Sequence, residues 1–242
     1  MAQNVRNGPN DAVSDASQLA LRIGIAFRDP SLLTMALTHP SYINEASAPL
    51  NDDNQRLEFL GDAILDFVVG DWVFARYPDA REGDLTSIRA DIVRTSGLAQ
   101  FAREIALGDH LLLGRGEQAT GGAARAGNLC AAFEALVGAV YLDQGIETAR
   151  SWITSVLDRH APAIDRRRSS KDAKSQLQEL AQARHHITPT YRIVSAEGPD
   201  HAKVFTAQVL IGDRAFGSGS GNSKQAAEAQ AARAALAALA PE

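Results

Sequence analysis

The apolar residues between Gln18 and Leu157 mostly follow one another at intervals of three and four positions, the spacing that places side chains on one face of an α-helix. The alternation that marks a strand is nearly absent from this stretch. The pattern is interrupted at Asp29-Pro30, between Asn44 and Asn54, at Tyr77-Pro78, and between Gly114 and Gly127. These interruptions predict a helical domain of about seven or eight helices.

A different pattern begins near position 172. One helix is predicted from Ala173 to Ala183, with Leu177 and Leu180 on its inner face. Three strand-like stretches and an alanine-rich helix follow, at Thr190–Ser195, Val204–Ile211, Arg214–Ser218 and Ser223–Ala240. Ser223 is the expected N-cap of the last helix. The order is therefore α-β-β-β-α, in about 70 residues.

The segment between the two patterns has the composition of a solvated linker, with Pro162, three consecutive arginines and two serines. The first 16 residues are polar and predict a disordered tail. We therefore expect a tail over 1–16, a helical domain over 17–158, a linker over 159–171 and a second domain over 172–242. The fold class is α+β overall, an all-α domain followed by an α-β-β-β-α domain.

The composition is ordinary for a globular protein, with 45% hydrophobic and 22% charged residues. The longest apolar run, Leu129 to Leu142, is shorter than a membrane span and carries Glu134 in its middle. The N-terminus lacks the apolar core of a secretory signal. Cys130 is the only cysteine, which excludes an internal disulfide and a cysteine-clustered zinc site. We expect a cytoplasmic protein with no membrane partner.

The net charge of −5 at first argues against a nucleic-acid partner. Residues 171–242, however, hold eight Lys and Arg against seven Asp and Glu, so the acidity is concentrated in the N-terminal part. A cluster of cation-binding carboxylates there would account for this distribution. A nearly neutral domain can still bind phosphates if its few cations share one face. Charge alone therefore decides nothing.

Two acidic residues share one face of the helix predicted around residues 54–66. Glu58 and Asp62 are four positions apart, so their carboxylates project about one turn from each other. Like charges at this spacing repel unless a cation bridges them, and hard divalent ions such as Mg2+ prefer carboxylate oxygens. Two exposed acids on a solvated helix face would give the same pattern. The pair alone does not distinguish these interpretations.

Glu134 is the only charged residue between Arg125 and Asp143, on an otherwise apolar helix. A carboxylate buried there would need a hydrogen-bond partner, a metal ion or an exposed position. A buried Arg or Tyr could serve as that partner, so a metal ligand and a structural ion pair both remain open. If this helix packs against the helix that carries Glu58 and Asp62, three carboxylates converge.

The chain resembles the ribonuclease III family. The resemblance rests on RLEFLGD at Arg56–Asp62, LTHPSY at Leu37–Tyr42, EGDLT at Glu82–Thr86 and FEALVGAVYLDQG at Phe133–Gly145, in family order and spacing. It covers nearly the whole chain from about residue 18. It implies an all-helical endonuclease domain that forms a homodimer, with Phe59 contributing to the dimer contact.

The resemblance also implies a metal-dependent activity on double-stranded RNA. Glu58, Asp62 and Glu134 would be the metal ligands, and Asp62 and Glu134 the catalytic residues. The cofactor would be Mg2+, with Mn2+ as a possible substitute. Glu82 would lie at the acidic edge of the catalytic valley. The expected role is the processing of ribosomal and other structured RNA precursors.

Two positions depart from the family pattern. Gln55 stands where the family usually has a peripheral Glu. Ala131 stands where the family has a metal-sharing Asp, three residues before Glu134. An extra water could replace the missing oxygen on Mg2+, at a cost in affinity. The alternative is a homologue that binds double-stranded RNA but has weakened or lost cleavage.

The C-terminal domain resembles a double-stranded-RNA-binding domain, through its element order and the sequence GSGNSKQAAEAQAA at Gly219–Ala232. Such domains read the A-form helix by its shape. Ser223 and Lys224 begin the last helix, where free backbone N–H groups and a cation would meet phosphate. The resemblance assigns RNA contacts to Gln176, Glu179, His201, Ser223 and Lys224. No Gly-Lys-Ser/Thr follows the glycines, so we expect no nucleotide cofactor.

Overall fold

A computed structural model of the chain describes residues 9–45, 53–199 and 202–239. The chain divides into two compact units, Met1–Arg159 and His160–Glu242. The first unit is helical and the second contains the only sheet in the described residues. The α+β class and the order of an all-α domain before an α-β-β-β-α domain are confirmed.

The first unit contains eight α-helices and the beginning of a ninth within its described residues. They are α1 (Pro9–Ile23), α2 (Pro30–Leu37), α3 (Pro40–Glu45), α4 (Gln55–Arg76), α5 (Glu82–Val93), α6 (Thr95–Glu104), α7 (Arg115–Ala119), α8 (Ala126–Gln144) and α9 (Ile146–His185). Two short 3-10 helices occupy Leu107–His110 and Gly122–Ala124.

The predicted breaks at Asp29-Pro30 and Tyr77-Pro78 coincide with helix ends, whereas the predicted break from Gly114 to Gly127 contains α7 and a 3-10 helix. Asp29 caps α2, where its carboxylate accepts a hydrogen bond from the Ser31 N–H at 3.0 Å and Pro30 takes the first helical position. Helix α4 ends at Arg76, directly before Tyr77-Pro78. Gly145, with a φ of 83°, separates α8 from α9 in a backbone conformation that favours glycine.

Helix α8 is the centre of the first unit, and ten of its residues are buried. It packs against α4, α6 and α2. Phe133 of α8 has its ring centre 5.9 Å from that of Phe101 and 5.5 Å from that of Trp152. Because α8 is largely buried and packs against α4, the side chains that it carries toward α4 are held in place.

The predicted tail and the predicted linker also contain helix. Residues 9–16 of the expected tail lie in α1, and residues 1–8 lie outside the described residues. The expected linker over 159–171 lies within α9, which continues through Pro162 to His185. Proline and polar residues lower the helix propensity of this segment, but Ala161 and Ile164 are buried, and this burial favours an ordered helix.

The second unit consists of a three-stranded antiparallel sheet, the C-terminal part of α9, which precedes the sheet in the chain, and one helix that follows it. Strands β1 (Thr190–Glu197), β2 (Val204–Ile211) and β3 (Arg214–Gly221) pair in that order and α10 (Lys224–Leu239) follows. The core joins α9, β2 and α10, and it consists of Ala173, Leu177, Ala181, Ala207, Val209, Ile211, Ala227, Ala231, Ala232 and Ala235. The Lys174 ammonium group lies 2.7 Å from the Glu228 carboxylate and links α9 to α10.

Strand β3 extends three residues beyond its predicted end at Ser218. A Cβ atom added at Gly217 would lie 2.4 Å from the Ala231 carbonyl oxygen, and one added at Gly219 would lie 2.3 Å from the Ala231 nitrogen. The strand therefore packs its backbone directly against α10. Glycine supplies no apolar side chain, so hydrophobic alternation does not reveal this part of the strand.

Within residues 9–45, 53–199 and 202–239, no helix has the length and apolar character needed to cross a membrane.

Candidate active site

Helices α4 and α8 approach closely because glycines face each other at their contact. A Cβ atom added at Gly61 of α4 would lie 1.7 Å from the Glu134 carbonyl oxygen. One added at Gly138 of α8 would lie 2.4 Å from the Leu57 carbonyl oxygen. Any side chain at either position would separate the two backbones. The contact thus brings Glu58 and Asp62 to the part of α8 that carries Glu134.

The three predicted carboxylates interact electrostatically across this contact. Burial raises the pKa of Glu58, and the negative charges of Asp62 and Asp53 raise it further, whereas His39 lowers it. Burial also raises the pKa of Glu134, to about 7, and the charges of Asp62 and Glu58 contribute to the rise. The packing of α4 against α8 therefore places Glu58, Asp62 and Glu134 near one another, as the sequence predicts if these two helices are in contact.

Glu134 has no cation among the groups that shift its pKa. From the sequence, a buried Arg or Tyr was a possible partner for Glu134. The structure places a different group beside the carboxylate. Instead, the Cys130 thiol donates a hydrogen bond to Oε1 of Glu134 at a distance of 3.5 Å. Thr95, at the start of α6, hydrogen-bonds the same thiol. A half-buried carboxylate whose donor among the described residues is this weak one retains the capacity to bind a cation.

The carboxylates supply hard oxygen donors, which suit a divalent cation such as Mg2+. They do not form a closed ligand cluster: in the described part of the chain, no three His, Cys, Asp or Glu side chains are arranged so that they could hold a metal ion. Ala131, half-buried on the first turns of α8, adds no oxygen. Cation binding would therefore have to draw the carboxylates of α4 and α8 together.

The remaining predicted residues of the first unit, Gln55, Phe59 and Glu82, are all exposed. Gln55 is exposed at the first position of α4. Glu82 is exposed at the first position of α5, where its carboxylate accepts a hydrogen bond from the Thr86 hydroxyl group at 3.1 Å. Glu82 is not among the groups that shift the pKa of Glu58 or Glu134. Phe59 projects from α4 and is 81% exposed.

Sequence reasoning did not identify Cys130, Thr95 and His39 as neighbours of the acidic residues. The i, i+4 spacing of Cys130 and Glu134 on a predicted helix was the one available signal. Nothing in the sequence relates Thr95 to that pair, because the contact depends on how α6 packs against α8.

The predicted RNA-binding residues of the second unit are exposed where the structure describes them. Gln176 and Glu179 lie one turn apart on α9, and Ser223 and Lys224 lie at the start of α10. Ser223 caps α10 as predicted, since its hydroxyl oxygen accepts a hydrogen bond from the Ala226 N–H at 3.1 Å. His201 lies outside the described residues.

Two family models match the chain, one for each unit. Residues 29–160 match the model described as ribonuclease-III-like, and residues 173–239 match the double-stranded RNA binding motif. The first match alone covers more than half of the chain and includes α4, α5 and α8.

Curated relatives match over both units. The chain is 43% identical to "Ribonuclease 3" of Roseiflexus sp., over 92% of this chain and 94% of that protein. It is 46% identical to "Ribonuclease 3" of Pelotomaculum thermopropionicum, over 93% and 94% of the two chains. The nuclease domain of ribonuclease III from Campylobacter jejuni superimposes with a TM-score of 0.55 at 36% identity, over 60% of this chain and 97% of that domain. The chain is therefore a member of the ribonuclease III family of endonucleases, with a helical nuclease domain followed by a double-stranded-RNA-binding domain.

Proposed function

We propose that the chain is a metal-dependent endoribonuclease specific for double-stranded RNA, with Glu58, Asp62 and Glu134 as the residues that hold the metal ion. The proposal rests on the α4–α8 contact, where burial raises the pKa of Glu58 and of Glu134 and the negative charge of Asp62 raises both further. Such a site is stabilised by a bound cation.

Mg2+ is the proposed cofactor and Mn2+ a substitute, because all three side chains offer carboxylate oxygens. When bound, the divalent ion makes a water molecule more acidic and offsets the negative charge on the scissile phosphate. Glu58 and Asp62 would bind it from one face of α4. Glu134 would bind it from α8, and with Asp62 it would orient the attacking water and accept its proton. Glu82 extends the acidic surface at the start of α5.

The second unit would hold the RNA duplex while the first unit cuts it. Lys224 and the free N–H groups at the start of α10 are suited to a phosphate, because the ammonium group is a cation and the N–H groups carry a partial positive charge. Gln176 and Glu179 present polar side chains to a minor groove of an A-form helix. His201 is assigned to a second groove by resemblance alone.

A homodimer is proposed from the exposed apolar face of α4. Phe59, Phe67 and Phe74 are 81%, 55% and 71% exposed. They are separated by eight and seven residues, about two helical turns each, so they lie on similar sides of the helix. An exposed apolar face of this kind commonly marks a site of protein contact. The Campylobacter nuclease domain is itself described as having a region involved in dimer formation.

The direct test is incubation of the purified protein with end-labelled duplex RNA, with Mg2+ or with a chelator, followed on a denaturing gel. Short products that appear only with Mg2+ support the proposal. Intact duplex at every Mg2+ and Mn2+ concentration contradicts it. Structured ribosomal precursors are the first natural substrates to assay, and cytoplasmic RNA is the expected pool.

The alternative, a double-stranded-RNA-binding homologue without cleavage, is favoured by one observation, Ala131. The comparisons give it no support. Ala131→Asp distinguishes the two functions, because it adds a carboxylate three residues before Glu134. If the protein is an active enzyme, this variant should cut at a metal concentration lower by about tenfold. Cleavage that appears only in the Ala131→Asp protein would favour the alternative.

A further inference from the structure

The side chain of Cys130 lies directly beside the carboxylate of Glu134. The two residues are one turn apart on α8, and the distance from Sγ to Oε1 is 3.5 Å, within the range of a sulfur hydrogen bond. Cys130 is only 8% exposed, so water does not compete freely for this contact. The thiol is therefore a local donor that points at a proposed metal ligand.

The thiol is the donor in this hydrogen bond and the carboxylate oxygen is the acceptor, because an ionised carboxylate has no hydrogen to donate.

A second residue holds the thiol from another helix. Thr95, the first residue of α6, forms a side-chain hydrogen bond with Cys130. Since α6 packs against α8, the three groups form a series from the Thr95 hydroxyl through the Cys130 thiol to the Glu134 carboxylate. This series restrains both the cysteine and the glutamate side chains.

We propose that Cys130 is a positioning residue for the metal site, which holds the Glu134 carboxylate in the orientation needed to bind the ion, with Thr95 supporting it. This inference rests on the proposed function. It also addresses the departure at position 131. Without a carboxylate there, Glu134 is the one acidic ligand that α8 supplies, so its orientation determines how α8 meets the cation.

The test compares Cys130→Ala with Cys130→Ser. Alanine removes the donor, whereas serine keeps a hydroxyl donor at the same position. Mn2+ binding to the full-length protein is measured by titration calorimetry without RNA, and cleavage of duplex RNA is measured over a Mn2+ series. Cys130→Ala should weaken Mn2+ binding roughly tenfold. Cys130→Ser should bind close to the wild-type value.

Thr95→Val probes the supporting hydrogen bond without changing side-chain shape. It should weaken Mn2+ binding, by less than Cys130→Ala does. The matched control is Thr34→Val, since the Thr34 hydroxyl group donates only to the Pro30 carbonyl oxygen within α2. That variant should bind Mn2+ as the wild type does. Thermal unfolding of each metal-free protein shows whether a lost affinity reflects a lost fold.

Equal Mn2+ affinity in the wild-type and Cys130→Ala proteins overturns the positioning role. A loss of equal size in the serine and alanine variants, with an unchanged melting temperature, overturns it as well, because a donor would then not be the relevant property. Failure of the proposed function has a different signature. In that case the wild-type protein leaves duplex RNA intact, while the calorimetric comparison still decides the role of Cys130.

Discussion

At the scale of single residues, the ionisation of Glu134 should make the stability of the protein depend on pH. Burial raises its pKa from an ordinary value of 4.5 to about 7. Between these values the folded protein binds a proton that the unfolded chain releases. The free energy of unfolding of the metal-free protein therefore falls as the pH rises through this window. Above pH 7 the charge remains as a destabilising contribution until a cation binds.

Glu134→Gln should remove this pH dependence, because glutamine has the same shape and no charge. In chelator at pH 8 the variant should melt roughly 2–4 °C above the wild type, which corresponds to about 1 kcal/mol. At pH 5 the two should melt together. Thermal circular dichroism measures both, with Glu147→Gln, an exposed glutamate of α9, as control. Parallel pH profiles for wild type and Glu134→Gln would show that the carboxyl does not carry the effect.

The positions of the acidic residues could be predicted from the sequence because both signals were local, but only the resemblance to the ribonuclease III family assigned them to a metal site. Glu58 and Asp62 share a face through their spacing alone, and Glu134 is conspicuous on an apolar helix. The roles of Cys130 and Thr95 could not be predicted. The direction of the thiol and the placement of α6 depend on tertiary packing, which the spacing of residues does not encode.

At the scale of elements, the glycine contact between α4 and α8 determines whether the acidic residues meet. Gly138→Ala would place a Cβ atom 2.4 Å from the Leu57 carbonyl oxygen, so the helices must separate. We expect a loss of about 1–3 kcal/mol in the free energy of unfolding, measured by denaturant titration. Weaker Mn2+ binding should accompany it.

Gly127→Ala is the matched control for that variant, since it lies on the same helix and its added Cβ meets nothing within 4 Å. Alanine should leave stability unchanged or raise it by up to about 1 kcal/mol, because it favours the helix more than glycine does. If both variants lose stability equally, the close contact is not the cause.

The second glycine contact joins β3 to α10. Gly219→Ala would place a Cβ atom 2.3 Å from the Ala231 nitrogen, and we expect it to displace α10 from the sheet. Because Lys224 begins that helix, affinity for duplex RNA should fall together with the stability of the second unit. Native gels with chelator present measure binding without cleavage. Ser220→Ala, at an exposed neighbouring position of β3, should bind normally.

Most elements could be predicted because hydrophobic periodicity is a local property. Helix α10 and strands β1 and β2 begin within one residue of their predicted starts. Prediction from hydrophobic periodicity failed where other interactions stabilise the helix or strand. Residues 219–221 extend β3 beyond its predicted end through glycine packing, and residues 159–171 form a helix in spite of their polar composition.

At the scale of the whole molecule, the proposed dimer depends on the exposed face of α4. Phe59→Asp would place a charge in that face and should raise the dimer dissociation constant at least about tenfold. Sedimentation over a range of concentrations measures it. Leu21→Asp is the control, because Leu21 is equally exposed, at 83%, on a different helix. A wild-type protein that sediments as a monomer at every concentration would remove the basis for the dimer.

The core of the second unit has a consequence for how the protein responds to warming. Seven of its ten buried residues are alanines, whose methyl groups remove little apolar surface from water, and its larger apolar side chains, such as Phe205 and Phe216, are only partly buried. The first unit buries Phe133 and several leucines completely. We therefore expect the RNA-binding unit to lose its structure at the lower temperature. On warming, the nuclease unit would then remain folded at temperatures at which the unit that selects its substrates has already unfolded.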